Sequence, residues 1–281
     1  MPTRRPSRRR LACLTGLLLC APIPRHAAAA EAPVAVSTVN HAFATELGSG
    51  FYDIGGRSVF IATVTPAIDL RNVTAEHAGL RLVAPMAAGS FGFAPDDAIE
   101  GRLPHHVDSF SIMPGLERDY RLREDWILTP WARVGGSFAA GADDGLLYGA
   151  GARLSRDLTL GKDLAITQLH ELELINVDYR NLPDASFLRL RNAVDARETL
   201  PLSLGPGHRL LAGMYGILDV MPDPPAAPAG VKPTVLQLEV GLTFNADPRP
   251  QLGWLNWPRL GFGYRFAGKL SGWRIVVGAP F

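Results

Sequence analysis

Cysteine is almost missing from this sequence of 281 residues, which contains only Cys13 and Cys20. Both lie within the first thirty residues, so the chain from Glu31 onwards can form no disulfide and can carry no thiol chemistry. Cysteine nucleophiles and cysteine-ligated metal centres are therefore excluded from that region.

Long apolar runs are also missing beyond the first thirty residues. No stretch there approaches eighteen consecutive apolar residues, so no helix that crosses a bilayer is predicted. Long amphipathic helices are equally hard to place, because 29 glycines and 23 prolines interrupt nearly every candidate window. A membrane-bound form of this chain would have to be a closed β-barrel, since only helices and closed barrels satisfy every backbone donor and acceptor in lipid.

A basic block is missing as well. Six of the 28 basic residues, all of them arginine, fall in the first thirty residues, which leaves 22 basic residues against 27 acidic ones and a net charge of −5. A mildly acidic chain without a basic block gives no reason to expect nucleic acid as a partner.

The first thirty residues have the order of an export signal. Residues 1–10 hold five arginines, residues 11–23 are apolar, and residues 27–30 are four alanines before Glu31. This order predicts a cleaved secretory signal peptide over 1–30. Residues 31–43 then form a short N-terminal segment, which could enter the interior of the folded domain as a plug or be a frayed terminus.

Strict alternation is the dominant pattern in the rest of the chain. Leu236, Leu238, Val240, Leu242 and Phe244 share one face, and polar or small residues occupy the positions between them. Such period-two alternation predicts a strand with one apolar and one polar side. Similar runs, separated by turn residues, predict twelve strands near 44–53, 57–69, 76–86, 107–120, 126–138, 145–156, 164–179, 187–200, 208–220, 234–245, 260–267 and 272–281.

These strands predict an all-β fold for residues 44–281, a closed antiparallel transmembrane β-barrel of about 12 strands, with 10–12 compatible with the pattern. A soluble β-sandwich also alternates. Many of the predicted runs are as long as the 9–11 residues that a tilted membrane strand needs, whereas soluble strands average about five or six. The prediction is therefore a protein of the cell outer membrane in contact with outer-membrane lipid, and a soluble periplasmic β-protein is the alternative.

The last predicted strand has a further feature. Trp273, Ile275, Val277, Ala279 and Phe281 fall at every second position and end on phenylalanine. This pattern resembles the signal that the bacterial barrel-assembly machinery recognises, which makes these five residues assembly-signal candidates and that machinery an expected partner. A C-terminal strand of a soluble protein that ends on phenylalanine is the alternative.

Several segments carry a family resemblance. Strands of the autotransporter type of outer-membrane barrel are similar to residues 112–117 with Tyr120, to residues 126–136 with the pattern W-x-L-T-P-aromatic followed by Gly135, and to residues 148–151 and 261–266. The resemblance covers roughly 50–281 and implies a solitary autotransporter-like barrel with no passenger domain. The lack of a complete catalytic motif adds the expectation that it has no enzymatic activity. Two other functions stay open, a small pore or channel for solutes, and a surface interaction or structural protein that acts through predicted outer loops 87–106 and 221–233.

The polar faces of the strands predict a charged lumen. If the apolar sides face lipid, both signs of charge point inward and could either line a pore or pair across a narrow lumen and block it; pairing is the favoured prediction. The lumen-facing candidates are Arg133, Arg153, Glu171, Glu173, Arg189, Arg191, Asp195, Arg197, Glu239, Arg265 and Arg274.

Three short motifs suggest chemistry but lack its geometry. His170-Glu171 begins like a zinc-protease helix without the second histidine, and residues 135–139 miss the last glycine of a nucleophile elbow. His105-His106 lacks a ligand partner at metal-binding spacing. We therefore expect no catalytic residues, no bound metal and no cofactor. The oligomeric state cannot be inferred from the sequence.

Overall fold

The computed structural model describes eleven stretches of the chain, 46–54, 58–92, 95–99, 107–139, 144–161, 163–181, 184–205, 207–223, 235–252, 255–268 and 270–281. The predicted signal peptide over 1–30, the segment 31–43 and His105-His106 lie outside these residues. Among the described residues, no helix is long and apolar enough to cross a membrane.

Twelve antiparallel strands make up the wall, and we number them β1–β12 along the chain. Their bounds are β1 Gly50–Ile54, β2 Ser58–Val64 and Ala67–Arg71, β3 Leu80–Val83 and Met86–Phe91, β4 Ser109–Ile112, Gly115–Glu117 and Tyr120–Arg121, β5 Trp126–Ala139, β6 Gly145–Leu160, β7 Leu164–Tyr179, β8 Ala185–Gly205, β9 His208–Asp223, β10 Leu236–Asp247, β11 Leu260–Ala267 and β12 Leu270–Val277.

Each strand pairs with its neighbours in the chain, and the first strand pairs with the last. Gly50 of β1 lies opposite Arg274 of β12, and this register closes the sheet into a ring. Besides the wall, the described residues contain a short helix, α1 (Pro95–Ile99), and a two-residue hairpin, Gln251–Leu252 with Leu255–Asn256. The prediction of a closed twelve-strand antiparallel barrel is confirmed.

Prolines account for one interruption in each of β2, β3 and β4. Pro66, Pro85 and Pro114 each lie at a break, because proline has no amide hydrogen to give to the ladder. Their carbonyls still accept bonds from the next strand: Ala84 N donates to Pro66 O at 3.0 Å and Met113 N donates to Pro85 O at 2.9 Å. The breaks line up across three adjacent strands, and the ladder continues past them.

The two faces of the wall have opposite polarity. Exposed side chains on the outer face are mainly Leu, Val, Ile and aromatic residues, whereas most buried charges lie on the inner face. Three buried apolar clusters fill the space between the inner charges. The largest contains Trp131, Leu147, Ile175 and Phe187, from four neighbouring strands β5–β8.

The first and last strands of the barrel differ from their predicted bounds. The first strand was predicted over 44–53 but begins at Gly50, because Glu46 and Leu47 lie inside the barrel; the Leu47 side chain is 0% exposed. The last strand was predicted over 272–281 but ends at Val277.

The prediction that one face continues to Phe281 is wrong. Gly278 has a φ of 96°, so the backbone leaves the strand there. Phe281 packs against an inner-face cluster that includes Val276 and Tyr215, while Trp273 and Ile275 stay on the outer face.

Candidate functional site

The lumen holds the densest arrangement of ionisable groups in the part of the chain that the structure describes. All eleven sequence-predicted lumen residues project from the inner face, on β5–β8 and β10–β12. They belong to three groups of ion pairs, each named below after one of its carboxylates: the Glu171 cluster, the Asp219 cluster and the Asp195 cluster.

The Glu171 cluster joins β4 to β8. Arg153 Nη2 lies 3.3 Å from Glu171 Oε1, and Arg133 Nη2 lies 2.8 Å from Glu117 Oε1. Arg189, which is 1% exposed, lies 2.7 Å from Glu173 through Nη2. Both carboxylates of β7 and one of β4 are therefore neutralised by arginines on neighbouring strands.

Aromatic rings complete this cluster. Trp131 donates its indole Nε1–H to Glu171 Oε1 at 3.2 Å, and the Arg133 guanidinium lies over the Trp131 ring at 4.3 Å from its centroid. A cation stacked on a ring that itself bonds a carboxylate fixes the position of all three groups.

The Asp219 cluster lies next to it on β8–β12. Arg191 donates two bonds to Asp219, from Nε at 2.7 Å and from Nη2 at 2.9 Å. Arg265 bridges Asp219 and Glu239, at 3.3 Å and 2.9 Å. Arg274 donates to the other oxygen of Glu239 at 2.9 Å. Two carboxylates thus hold three arginines in one chain of ion pairs.

Tyr215 reaches this cluster because glycines leave it room. A Cβ on Gly263 would lie 2.0 Å from the Tyr215 hydroxyl, and one on Gly241 would lie 2.5 Å from the ring. The ring covers both glycines and donates its O–H to Glu239 Oε1 at 2.9 Å. Small residues on β10 and β11 thereby let a side chain from β9 lie across the wall.

The Asp195 cluster is smaller. Arg259 donates from Nη1 to Asp195 Oδ2 at 2.7 Å, and Arg197 Nε lies 3.3 Å from the same oxygen. Arg197 also donates to Thr167 Oγ1 at 2.7 Å. Its side chain is 26% exposed, whereas Asp195 and Arg259 are buried, so only the Arg197 end of this cluster reaches solvent.

Residues that precede β1 connect the clusters from inside. Glu46 forms an ion pair with Arg189, and its carbonyl accepts a bond from Arg191 Nη2 at 3.5 Å. Tyr52 donates its O–H to Leu47 O at 2.6 Å. Because β8 lies five strands from β1 around the ring, this segment crosses the lumen and contacts the opposite wall.

Sequence reasoning missed four members of these clusters. Glu117 lies between two interruptions of β4, Arg259 precedes β11, and Glu46 lies outside the wall, so none of them falls in a clean alternating run. Asp219 does alternate with Tyr215, Ile217 and Met221, but these apolar neighbours on the inner face hide the polar side of β9.

The two other motifs that fall within the described residues lie on strands of the wall. His170 and Glu171 lie on opposite faces of β7, and residues 135–139 lie within β5. In the described part of the chain, no group of three His, Cys, Asp or Glu side chains could hold a metal ion. Neither a protein-family model nor a curated protein matches this chain.

Proposed function

We propose that this chain is a non-enzymatic, integral β-barrel protein of the bacterial cell outer membrane, with a lumen closed by buried ion pairs. One observation carries the proposal, the inverted polarity of the wall. Inside, Glu239 is 0% and Arg265 is 1% exposed, while outside, Leu172 is 51% and Phe262 is 49% exposed. A soluble protein does not expose an apolar belt around its whole circumference, whereas a membrane barrel requires one.

The height of this belt supports the proposal. On β6 the outer face continues from Leu146 to Leu160, and its aromatic Tyr148 and its charged Arg156 are eight residues apart. At a rise of about 3.4 Å per residue and a tilt of about 40°, this spans about 21 Å along the membrane normal, close to the apolar band of about 25 Å in known barrels.

The edge of the belt near the connection between β4 and β5 has the side chains of a membrane interface. The Arg156 guanidinium lies 5.2 Å from the Trp126 ring centroid and donates to Asp125 at 2.7 Å. This hydrogen bond lowers the pKa of Asp125, so the carboxylate stays charged in the connection between β4 and β5. An aromatic ring beside a paired charge suits the level of the lipid headgroups.

The autotransporter-like type is part of the same proposal, and the W-x-L-T-P segment supports it. Within β5, Thr129 and Trp131 face inward, where Thr129 donates to Asp119 at 2.6 Å and Trp131 bonds Glu171. Leu128 and Pro130 alternate with these two residues and project from the outer face. The motif therefore supplies inner polar anchors and an outer apolar edge in a single strand.

Cell fractionation combined with gel mobility tests this proposal. We expect the protein in the outer-membrane fraction, extractable only with detergent, and migrating faster in unheated than in heated detergent gels because the folded barrel stays compact. Recovery as a water-soluble periplasmic species would overturn the proposal.

A pore for solutes is the second candidate, and the position of Glu46 and Leu47 favours it. These residues lie in the lumen without belonging to the wall, so their release would remove the part of its filling that the strands do not supply. Conductance in planar bilayers tests this function. The surface-interaction function stays a prediction, because most of the loops at 87–106 and 221–233 lie outside the described residues.

A further inference from the structure

A polar pair interrupts the apolar outer face. His170 of β7 and Asn192 of β8 are directly opposite in register, and His170 Nδ1 lies 2.7 Å from Asn192 Oδ1. On β8, Asn192 is midway between the outward positions Ser186 and Glu198, and the other outward residues between those two are Leu188, Leu190, Val194 and Ala196. If the barrel spans a membrane, the pair lies at the middle of the hydrocarbon band.

The pair keeps hydrogen-bonding capacity that hydrocarbon cannot satisfy. If Nδ1–H donates, the imidazole Nε2 is a free acceptor and the asparagine amide is a free donor. If the asparagine amide is turned over so that its NH2 group donates to Nδ1 instead, Nε2–H is a free donor and the amide oxygen is a free acceptor. Either arrangement presents one donor and one acceptor side by side, and leaving them unpaired in lipid is costly.

A groove of about 310 Å³ adjoins the pair. Gly216 of β9, which has no side chain, lines it together with Val194, Leu218 and Leu238, and Gln168 of β7 adds a third polar side chain at its edge. The outer face therefore has a recess and a polar pair at the same place.

We propose that this surface is a contact between two copies of the chain, in which His170 of each copy bonds Asn192 of the other. The proposal rests on the membrane location proposed above. A two-fold axis along the membrane normal reverses the order of the two residues, so each free donor meets a free acceptor. Acyl chains offer no such partner, and a lipid ester satisfies the donor but leaves the acceptor unpaired. Polar side chains join transmembrane segments in the same way.

Single-cysteine cross-linking in intact membranes tests the contact, because the chain has no cysteine beyond Cys20. With Cys13→Ser and Cys20→Ser as background, Val194→Cys places a thiol beside Asn192, and Val134→Cys places one on β5 as a matched control. The two native valines are 44% and 55% exposed. We expect oxidation to cross-link the Val194→Cys protein into dimers and to leave the Val134→Cys protein monomeric.

A third variant separates the specific contact from crowding. Adding Asn192→Leu to Val194→Cys removes the reciprocal bonds while keeping the outer face apolar, and we expect the cross-linked fraction to fall about tenfold. The dimer would be overturned if both cysteine positions cross-linked equally, or if adding Asn192→Leu left the cross-linked fraction unchanged. It would also be overturned if the protein remained monomeric while still bound to lipid. Outer-membrane fractionation and heat-dependent gel mobility report separately on the proposed function, and both stay unchanged if only the dimer fails.

Discussion

Removing the charge of Glu239 tests whether the lumen ion pairs stabilise the barrel. Glu239→Gln keeps the size of the side chain but leaves Arg265 and Arg274 without this carboxylate. Arg265 retains Asp219 at 3.3 Å, whereas the remaining bond of Arg274 is to the carbonyl of Pro280 at 2.7 Å. One buried cation thus loses its only carboxylate among the described ion pairs.

The size of the effect follows from that arrangement. Removing one partner of a buried ion pair costs about 3–5 kcal/mol, and the bond that Arg265 keeps to Asp219 places Glu239→Gln near the lower end. With a urea dependence of about 1–3 kcal/mol per molar, a loss of about 3 kcal/mol lowers the unfolding midpoint by about 1–3 M.

Tryptophan fluorescence during urea unfolding in lipid vesicles measures that midpoint. The matched control is Glu198→Gln, which makes the same chemical change at an exposed position of β8. A Glu239→Gln midpoint equal to that of the control would refute the reasoning, because it would mean that water already solvates these charges. Combining Glu239→Gln with Arg274→Gln restores part of the loss if the two side chains are coupled.

Three further substitutions test the outer face, the lumen segment and the packing of Tyr215. Leu172→Arg puts a charge in the apolar belt and lowers the free energy of unfolding from vesicles by about 2–4 kcal/mol, while Leu160→Arg at the strand end lowers it by at most about 1 kcal/mol. Glu46→Gln weakens the hold of Arg189 on the lumen segment and raises conductance in planar bilayers; an unchanged silent bilayer would argue against a gate. Gly263→Ala displaces Tyr215 and costs about 1–3 kcal/mol, measured as a lower thermal midpoint than for Gly216→Ala.

The strand bounds were predictable where one face of a strand is uniformly apolar and the other uniformly polar or small. β7 and β11 occupy 164–179 and 260–267, as predicted, because each alternates without interruption between turn residues. Alternation does not show how a backbone continues when proline removes a donor, so the breaks in β2–β4 were missed.

The two ends of the barrel sequence were the least predictable part. An ion pair between residues far apart in sequence determines the path of the backbone at one of them. Local pattern extends β1 back to residue 44, but Arg189 and Arg191 attract Glu46 from a strand 143 residues away in sequence. At the other end, Gly278 permits a backbone turn that a simple count of alternate positions ignores. The role of residues 273–281 as an assembly signal stays a prediction.

The preference of an opened lumen for anions or cations can be argued from the same contacts. Nine arginines of the described residues form ion pairs at the inner face: Arg81, Arg133, Arg153, Arg189, Arg191, Arg197, Arg259, Arg265 and Arg274. Their buried or half-buried carboxylate partners number eight: Glu46, Glu117, Asp119, Glu171, Glu173, Asp195, Asp219 and Glu239.

Glu46 is the one carboxylate of this set that is not on the wall or its connections. Releasing the segment that carries it leaves nine arginines against seven carboxylates, a net charge of +2 among these groups. Fixed positive charge in a narrow aqueous path favours anions. In a potassium chloride gradient, the reversal potential of the Glu46→Gln channel should therefore shift towards the equilibrium potential of chloride. A potassium preference would show that the lumen segment stays in place or that the arginines remain neutralised by other groups.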